Sequence, residues 1–305
     1  MGIVILNFLY SIRYKNILLL LFIFFCFELL FYKTDGYKLD YNNLLAYLSI
    51  ILSASAGYLI NNIFDIKSDF INKKNQDITI NKKYSIIIYL VLVILSLAIS
   101  FTVSTSISVI DSISEENLFF VIVLISNIFL FLYSYLFKHI ALLGNLIISF
   151  FAFLIPFITI LLHYNTNTEL YAPFFVINFS VFSFLITMSR ELIKDIEDID
   201  GDRLCKAKTL PIILGIKFTK YFALFFITVI IFLCISFINT NELLYFYNVS
   251  IVSVICIIIM ILLPLFYTAF KIINAKSKND FTFISKLIKL DILLALFTIL
   301  IYALC

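Results

Sequence analysis

"LINNIFDIKSDF", Leu59 to Phe70, ends a long apolar run with two Asn and two Asp. Four-residue steps turn an α-helix by about 40° and raise it by about 6 Å, so Asn61, Asp65 and Asp69 form one stripe. "SRELIKDIEDIDGDRLCKAKTLPI", Ser189 to Ile212, repeats the theme. Its acids Glu191, Asp195, Asp198 and Asp202 step by 4, 3 and 4, which predicts a second stripe on one helix face. Both stripes follow runs long enough to cross a hydrocarbon core of about 30 Å. They therefore belong at the end of a membrane-spanning helix.

The rest of the chain agrees. Of 305 residues, 63% are hydrophobic and 13% charged, about half the charge of an ordinary soluble domain. Hydropathy predicts nine spans, near 16–32, 44–63, 84–103, 118–136, 141–162, 171–190, 218–238, 244–270 and 283–304. The expected fold is all-α, one polytopic nine-helix domain over residues 1–305. Pro264 predicts a kink or an early end to the eighth span. No small-residue cleavage site follows the first run, so it is read as a retained span. The five cysteines are scattered without a CxxC pair, which argues against a metal centre or a disulfide framework.

Basic residues set the expected orientation. With nine spans, seventeen of the 22 Lys and Arg fall on one side, two (Lys33 and Lys38) on the other and three within span ends. The positive-inside rule then places the N-terminus and both acidic segments in the cytoplasm and the C-terminus outside. The location is a multi-pass cell membrane.

Like charges at helical spacing repel unless something neutralises them. Carboxylate and amide oxygens suit Mg²⁺, which completes its shell with water and phosphate oxygens. Basic residues interleave with the acids, among them Lys67, Lys73, Lys74, Arg190, Lys194, Arg203, Lys206 and Lys208. Acids and bases together point to a metal held against a phosphate-bearing ligand. A single stripe would more often be a solvated loop face; two matched stripes on one side favour a site.

These segments resemble the UbiA superfamily of intramembrane prenyltransferases. "NNIFDIKSD" and "KDIEDIDGD" match its two Asp-rich motifs in order. "IRYKN" resembles its R-P-x-N segment, "YSYLFKHIALLGN" its Y-x-x-x-L-K segment, and "KTLPI" the tail of the second motif. Asn62 stands where Asp is commoner, Tyr14 replaces a Pro, and "FINKKNQDI" carries Lys73 and Gln76 where the family has Arg.

The resemblance implies a bundle around a central cavity and a polyprenyl diphosphate held by two Mg²⁺ ions. It implies Asn61, Asp65, Asp69, Asp195, Asp198 and Asp202 as metal or diphosphate ligands, with Asp65, Asp69, Asp198 and Asp202 central to catalysis. Arg13, Lys73, Lys138, Arg190, Lys194 and Lys208 are expected to meet phosphate charge, and Asn16, Asn62 and Tyr133 to orient substrate. Within the superfamily the second motif looks most like enzymes that attach a geranylgeranyl group to geranylgeranylglyceryl phosphate. Aromatic quinone precursors and tetrapyrroles are alternative acceptors. The implied partners are a polyprenyl diphosphate, a lipid-soluble acceptor and membrane lipids, with neither nucleic acid nor an obligate protein partner.

Two other classes fit less well. CDP-alcohol phosphotransferases need Ala and Arg where "DGDRLCKAK" has Leu204 and Cys205. A cation transporter should carry its acids at the midplane on Gly- or Pro-broken helices. Glu28 and Asp291, inside the first and last spans, are read as structural. His139 is read as interfacial and His163 as remote from catalysis. The proton acceptor is then a carboxylate or the released diphosphate.

Overall fold

The computed structural model describes residues 8–36, 40–71, 82–106, 117–163, 171–239 and 251–304. These residues are almost wholly helical, and nine of their helices are long and apolar enough to cross a membrane. They are α1 (Tyr14–Asp35), α2 (Tyr41–Ile71), α3 (Lys82–Ser106), α4 (Leu118–Tyr135), α5 (Leu143–His163), α6 (Tyr171–Glu197), α7 (Gly215–Asn239), α8 (residues 251–274) and α9 (Lys278–Leu304). Helices are the economical solution here, because each satisfies its backbone polar groups internally.

Two sub-bundles meet. Helices α2, α3 and α4 pack together, while α6 touches α1, α5, α7 and α9. In lipid, burial of apolar surface does little to join helices, so hydrogen bonds and close packing must contribute. Ser96 Oγ lies 2.6 Å from Ser53 Oγ, and Asn127 Nδ2 donates to Ser53 Oγ at 2.8 Å, tying α2, α3 and α4 at one node. Gly57 lets Leu130 of α4 approach α2 closely. The central packing is apolar, with Phe27, Leu30 and Phe31 of α1 and Ile186, Leu192 and Ile193 of α6 fully buried. Exposed apolar residues such as Phe25, Ile94 and Phe232 suit contact with lipid tails.

Three expectations are corrected. Helices α2 and α6 continue through their polar motifs to Ile71 and Glu197, well past 63 and 190. With 31 residues, α2 is about 45 Å long and outreaches the hydrocarbon core. The second acidic stripe is not one helix face. Helix α6 stops at Glu197, and Asp198 stands at the junction before a separate short helix, Ile199–Leu204. Asp198 and Asp200 favour caps and turns over helix interiors, and Gly201 weakens the helix further.

Nor does α8 end early at Pro264. Its residues Ile258–Leu262 form a π turn in which the Leu263 amide donates to Ile258 O, five residues back. The wider turn accommodates a proline that lacks an amide hydrogen, and the helix runs on to Asn274. Beyond it, Thr268 Oγ1 donates to the buried carboxylate of Asp291 at 2.8 Å, joining α8 to α9.

Candidate active site

Both motifs lie at the same end of the bundle. The α2 helix, which bears the first, packs against the short helix Ile199–Leu204 that bears Asp202. On α2, Asn61 Nδ2 donates to Asp65 Oδ2 at 2.7 Å, as the four-residue step predicts. Asp65 Oδ1 also accepts from Lys138 Nζ, whose side chain is only 8% exposed. Lys138 sits in the 3-10 turn Phe137–His139 between α4 and α5. The turn closes tightly because residue 144 is glycine: a Cβ there would lie 2.9 Å from Lys138 Cα. Asn62 Nδ2 donates to Ser11 O at 2.6 Å, binding the segment before α1 to α2.

On α6, Asp195 Oδ2 accepts from Asn145 Nδ2 of α5 at 2.9 Å, and Asp202 lies close enough for its charge to act on Asp195. Glu191 accepts from Arg190 Nη1 at 2.8 Å and from Lys194 Nζ at 3.2 Å. Tyr133 of α4 joins the halves, since its hydroxyl lies in the field of Glu191, Asp65, Asp195 and Arg13. Arg13 lies over the Tyr58 ring, 5.3 Å from its centroid. At the start of α1, Asn16 Oδ1 accepts from Lys289 Nζ of α9 at 2.6 Å. Lys208 is held by its backbone, whose amide donates to His139 O at 2.8 Å, while its side chain is exposed.

The structure thus gathers Asn61, Asn62, Asp65, Tyr133, Lys138, Arg190, Lys194, Asp195 and Asp202 around one end, with Arg13 and Asn16 beside them. Asp198 lies at the α6 break. Asp69 is in α2, but its side chain is outside the described residues, as is all of Lys73. Sequence reasoning missed Lys289, which it counted as a span-end lysine. Ionisable groups inside spans are functional candidates, and that signal could have found it.

Strain and unmet hydrogen bonding concentrate here as well. Arg13, Leu142 and Lys206 adopt left-handed backbone with φ of 53°, 64° and 58°, a conformation that non-glycine residues hold only where surrounding contacts enforce it. Among the described residues, the buried side-chain atoms without a hydrogen-bond partner are Asn61 Oδ1, Asn62 Oδ1, Ser189 Oγ, Arg190 Nε and Thr209 Oγ1. Every one belongs to this end. An unpaired buried polar atom costs about 1–3 kcal/mol, so such a cluster suits groups that a ligand will satisfy.

The donor set fits a hard divalent ion. Asn61 Oδ1 is a buried oxygen without a partner, beside Asp65. Among the described residues, no three His, Cys, Asp or Glu side chains are grouped closely enough to hold an ion alone. Mg²⁺ takes one or two protein carboxylates and completes its shell with water and phosphate oxygens. His139 sits at the edge of the site. Burial holds its pKa below the usual 6.5, Lys138 pushes it further down, and Asp65 partly opposes them. It is a neutral imidazole near pH 7.

Away from the charges, a cavity of about 150 Å³ lies between α6, α7, α8 and α9, lined by Phe175, Phe179, Phe182, Leu185, Ile230 and Ile261 among others. Leu185 and Asp195 are ten residues apart on α6, or about 15 Å along its axis.

A polytopic helical bundle with paired acids and phosphate-seeking cations at one end defines a class: membrane enzymes that act on diphosphate esters. The chain belongs to the UbiA prenyltransferase family, matched over residues 19–287. It is 32% identical over 267 residues to the digeranylgeranylglyceryl phosphate synthase of Methanosphaera stadtmanae, covering 85% of this chain and 87% of that protein. The Methanobrevibacter smithii synthase of the same name is 31% identical over 265 residues, covering 85% and 86%. A solved digeranylgeranylglyceryl phosphate synthase structure superposes with a TM-score of 0.67, at 23% identity and 98% coverage of both chains. A UbiA homologue from Archaeoglobus fulgidus bound to GPP and Mg²⁺ gives 0.61, at 17% identity, covering 96% of this chain and 99% of the other. The chain is a multi-pass membrane prenyltransferase.

Proposed function

We propose that this enzyme transfers a geranylgeranyl group from its diphosphate to the free hydroxyl of geranylgeranylglyceryl phosphate, forming a diether lipid. The observation that carries a phosphate-rich substrate is the set of unpartnered buried polar atoms at the motif end, Asn61 Oδ1 and Arg190 Nε among them. The acceptor follows from the names of the relatives that match along most of the chain.

In this reading the allylic C1–O bond breaks and its electrons leave with the diphosphate. The acceptor hydroxyl oxygen then bonds to C1, and its proton passes to a carboxylate or to the released diphosphate. Asn61, Asp65, Asp69, Asp195, Asp198 and Asp202 are the oxygens that would hold Mg²⁺, in two sites corresponding to the two motifs. When bound, Mg²⁺ would neutralise charge on the leaving diphosphate. Lys138, now paired with Asp65, supplies a buried positive charge to the same anion, while Arg13, Lys73, Arg190, Lys194 and Lys208 meet phosphate charge on the substrates. Asn16, Asn62 and Tyr133 orient the substrates. The apolar cavity can take part of a prenyl chain, and the surrounding helices exclude water from the allylic cation. The chain acts as one domain, with the site facing the cytoplasm and the C-terminus outside.

The test is to incubate purified protein with Mg²⁺, labelled geranylgeranyl diphosphate and a panel of acceptors, and to identify the lipid product by mass spectrometry. A labelled diether from the glyceryl phosphate acceptor is expected. Transfer only to an aromatic or tetrapyrrole acceptor would replace the acceptor assignment. Absence of both transfer and diphosphate release would overturn the whole reading.

A further inference from the structure

We infer that Arg13, Lys15, Arg190, Lys194 and Lys289 form a second anion subsite, separate from the acidic arc, that receives the phosphate monoester of the acceptor. The inference rests on the proposed glyceryl phosphate acceptor. Lys289 anchors it. This lysine lies on α9, a half-buried position where a cation is costly without a partner. Its nearest hydrogen-bond partner is a neutral amide, Asn16 Oδ1 at 2.6 Å. The charges that act on it most are positive: Arg190, Lys15, Arg13 and Lys194.

Glu191 is the carboxylate that holds Arg190 and Lys194, and it also feels Arg13. Glu191 thus meets three of the five cations, and none of these contacts reaches Lys289. Arg190 Nε adds a buried donor with no partner among the described residues. Nothing in ordinary packing favours gathering like charges in a partly desolvated place, whereas a bound dianion would offset them.

The two arcs also differ in chemistry and in origin. Asp65, Lys138, Asn145 and Asp195 come from α2, the α4–α5 turn, α5 and α6, and their acids require a divalent ion before they can hold a phosphate. The cationic arc comes from α1, α6 and α9 and can hold one directly. Arginine and lysine donors match the oxygens of a phosphate monoester. Arg190 and Glu191 form the seam, so an acceptor anchored by its phosphate would lie beside the diphosphate.

The experiment measures both binding and kinetics. Geranylgeranylglyceryl phosphate and its dephosphorylated alcohol are titrated calorimetrically, without donor, into detergent-solubilised wild type, Lys289→Gln and Lys289→Arg. Steady-state KM values for donor and acceptor are measured on the same proteins, and melting temperatures verify folding. Loss of one charge-assisted contact predicts that wild type prefers the phosphate form and that Lys289→Gln weakens its binding roughly tenfold or more. Acceptor KM should rise in step, donor KM should change far less, and Lys289→Arg should restore much of the difference.

Equal binding of alcohol and phosphate by wild type would overturn the subsite, as would unchanged phosphate affinity in folded Lys289→Gln. A donor KM that rises in parallel would assign the cations to the diphosphate and overturn it too. Phosphate-selective, Lys289-dependent binding without any transfer to that acceptor would keep the subsite and sink the proposed reaction. Transfer to that acceptor with Lys289-independent binding would do the opposite.

Discussion

The bundle buries ionisable groups at both ends, and the two sets are built differently. At the end opposite the motifs, the Tyr47 hydroxyl of α2 donates to Glu28 Oε1 of α1, which lies 3.1 Å from His163 Nε2 of α5. His163 Nδ1 lies 2.7 Å from Thr159 O, a group that can only accept, so Nδ1 carries a proton. Asn43 Nδ2 of α2 also lies 3.3 Å from His163 Nε2. Phe31 stacks on the imidazole at 4.1 Å and Phe24 on Tyr47 at 4.2 Å. Among the described residues, no buried side-chain polar atom at this end lacks a partner; at the motif end five do. The remote cluster is satisfied by the protein and serves as a clasp between α1, α2 and α5. The motif end is left incomplete, as a binding site must be.

The sharpest test of this contrast removes one member from each side. Glu28→Leu should lower stability by about 1–3 kcal/mol, since it removes the acceptor of the buried Tyr47 hydroxyl, while kcat/KM at a permissive temperature stays within about twofold. Denaturant unfolding in detergent and a prenyl-transfer assay read the two effects. A large kinetic loss with unchanged stability would break the comparison. The converse is Asp65→Asn, which keeps the shape and an acceptor for Lys138. It should lower kcat/KM by about 10²–10³-fold with a smaller change in unfolding than Glu28→Leu.

How far the sequence carried this comparison depends on the residue. Asn61 and Asp65 were legible because a four-residue step within one helix fixes their geometry. Nine spans were legible because bilayer thickness sets helix length. The break at Asp198 was not, since acids at steps of 4, 3 and 4 read equally well as one face; only the local preference of Asp and Gly for turns hinted otherwise. Lys289 was hidden by its apolar neighbours on α9. Lys138 was marked by resemblance alone, because its pairing with Asp65 spans 73 residues and depends on how α4 turns into α5. The left-handed residues and unpartnered atoms are properties of packing, on which composition is silent.

Gly144→Ala probes the link between scaffold and site at intermediate size. The added methyl would meet the Lys138 backbone, so the turn must shift, costing about 1–3 kcal/mol and moving Lys138 relative to Asp65. Activity should fall along with stability; a drop in melting temperature alone would show that Lys138 tolerates displacement. The smallest effect is expected at His139. Its folded pKa is depressed, so the stability it contributes is complete above its unfolded value near 6.5 and is lost as pH falls through the folded value. His139→Gln should therefore flatten the decline in melting temperature between about pH 7 and pH 5. An unchanged slope would place that titration elsewhere.

The wide turn at Ile258–Leu262 has a consequence for how this helix tolerates change in length. A π turn holds about one residue more than the α turn it replaces. With Pro264 replaced by Ala, helix α8 can therefore shed one residue at 258–262 and close into regular winding while Thr268 still meets Asp291. The same deletion between Pro264 and Thr268 would swing that hydroxyl away by about 100°. In that background a deletion along α8 should be cheap at one bend and costly on either side of it.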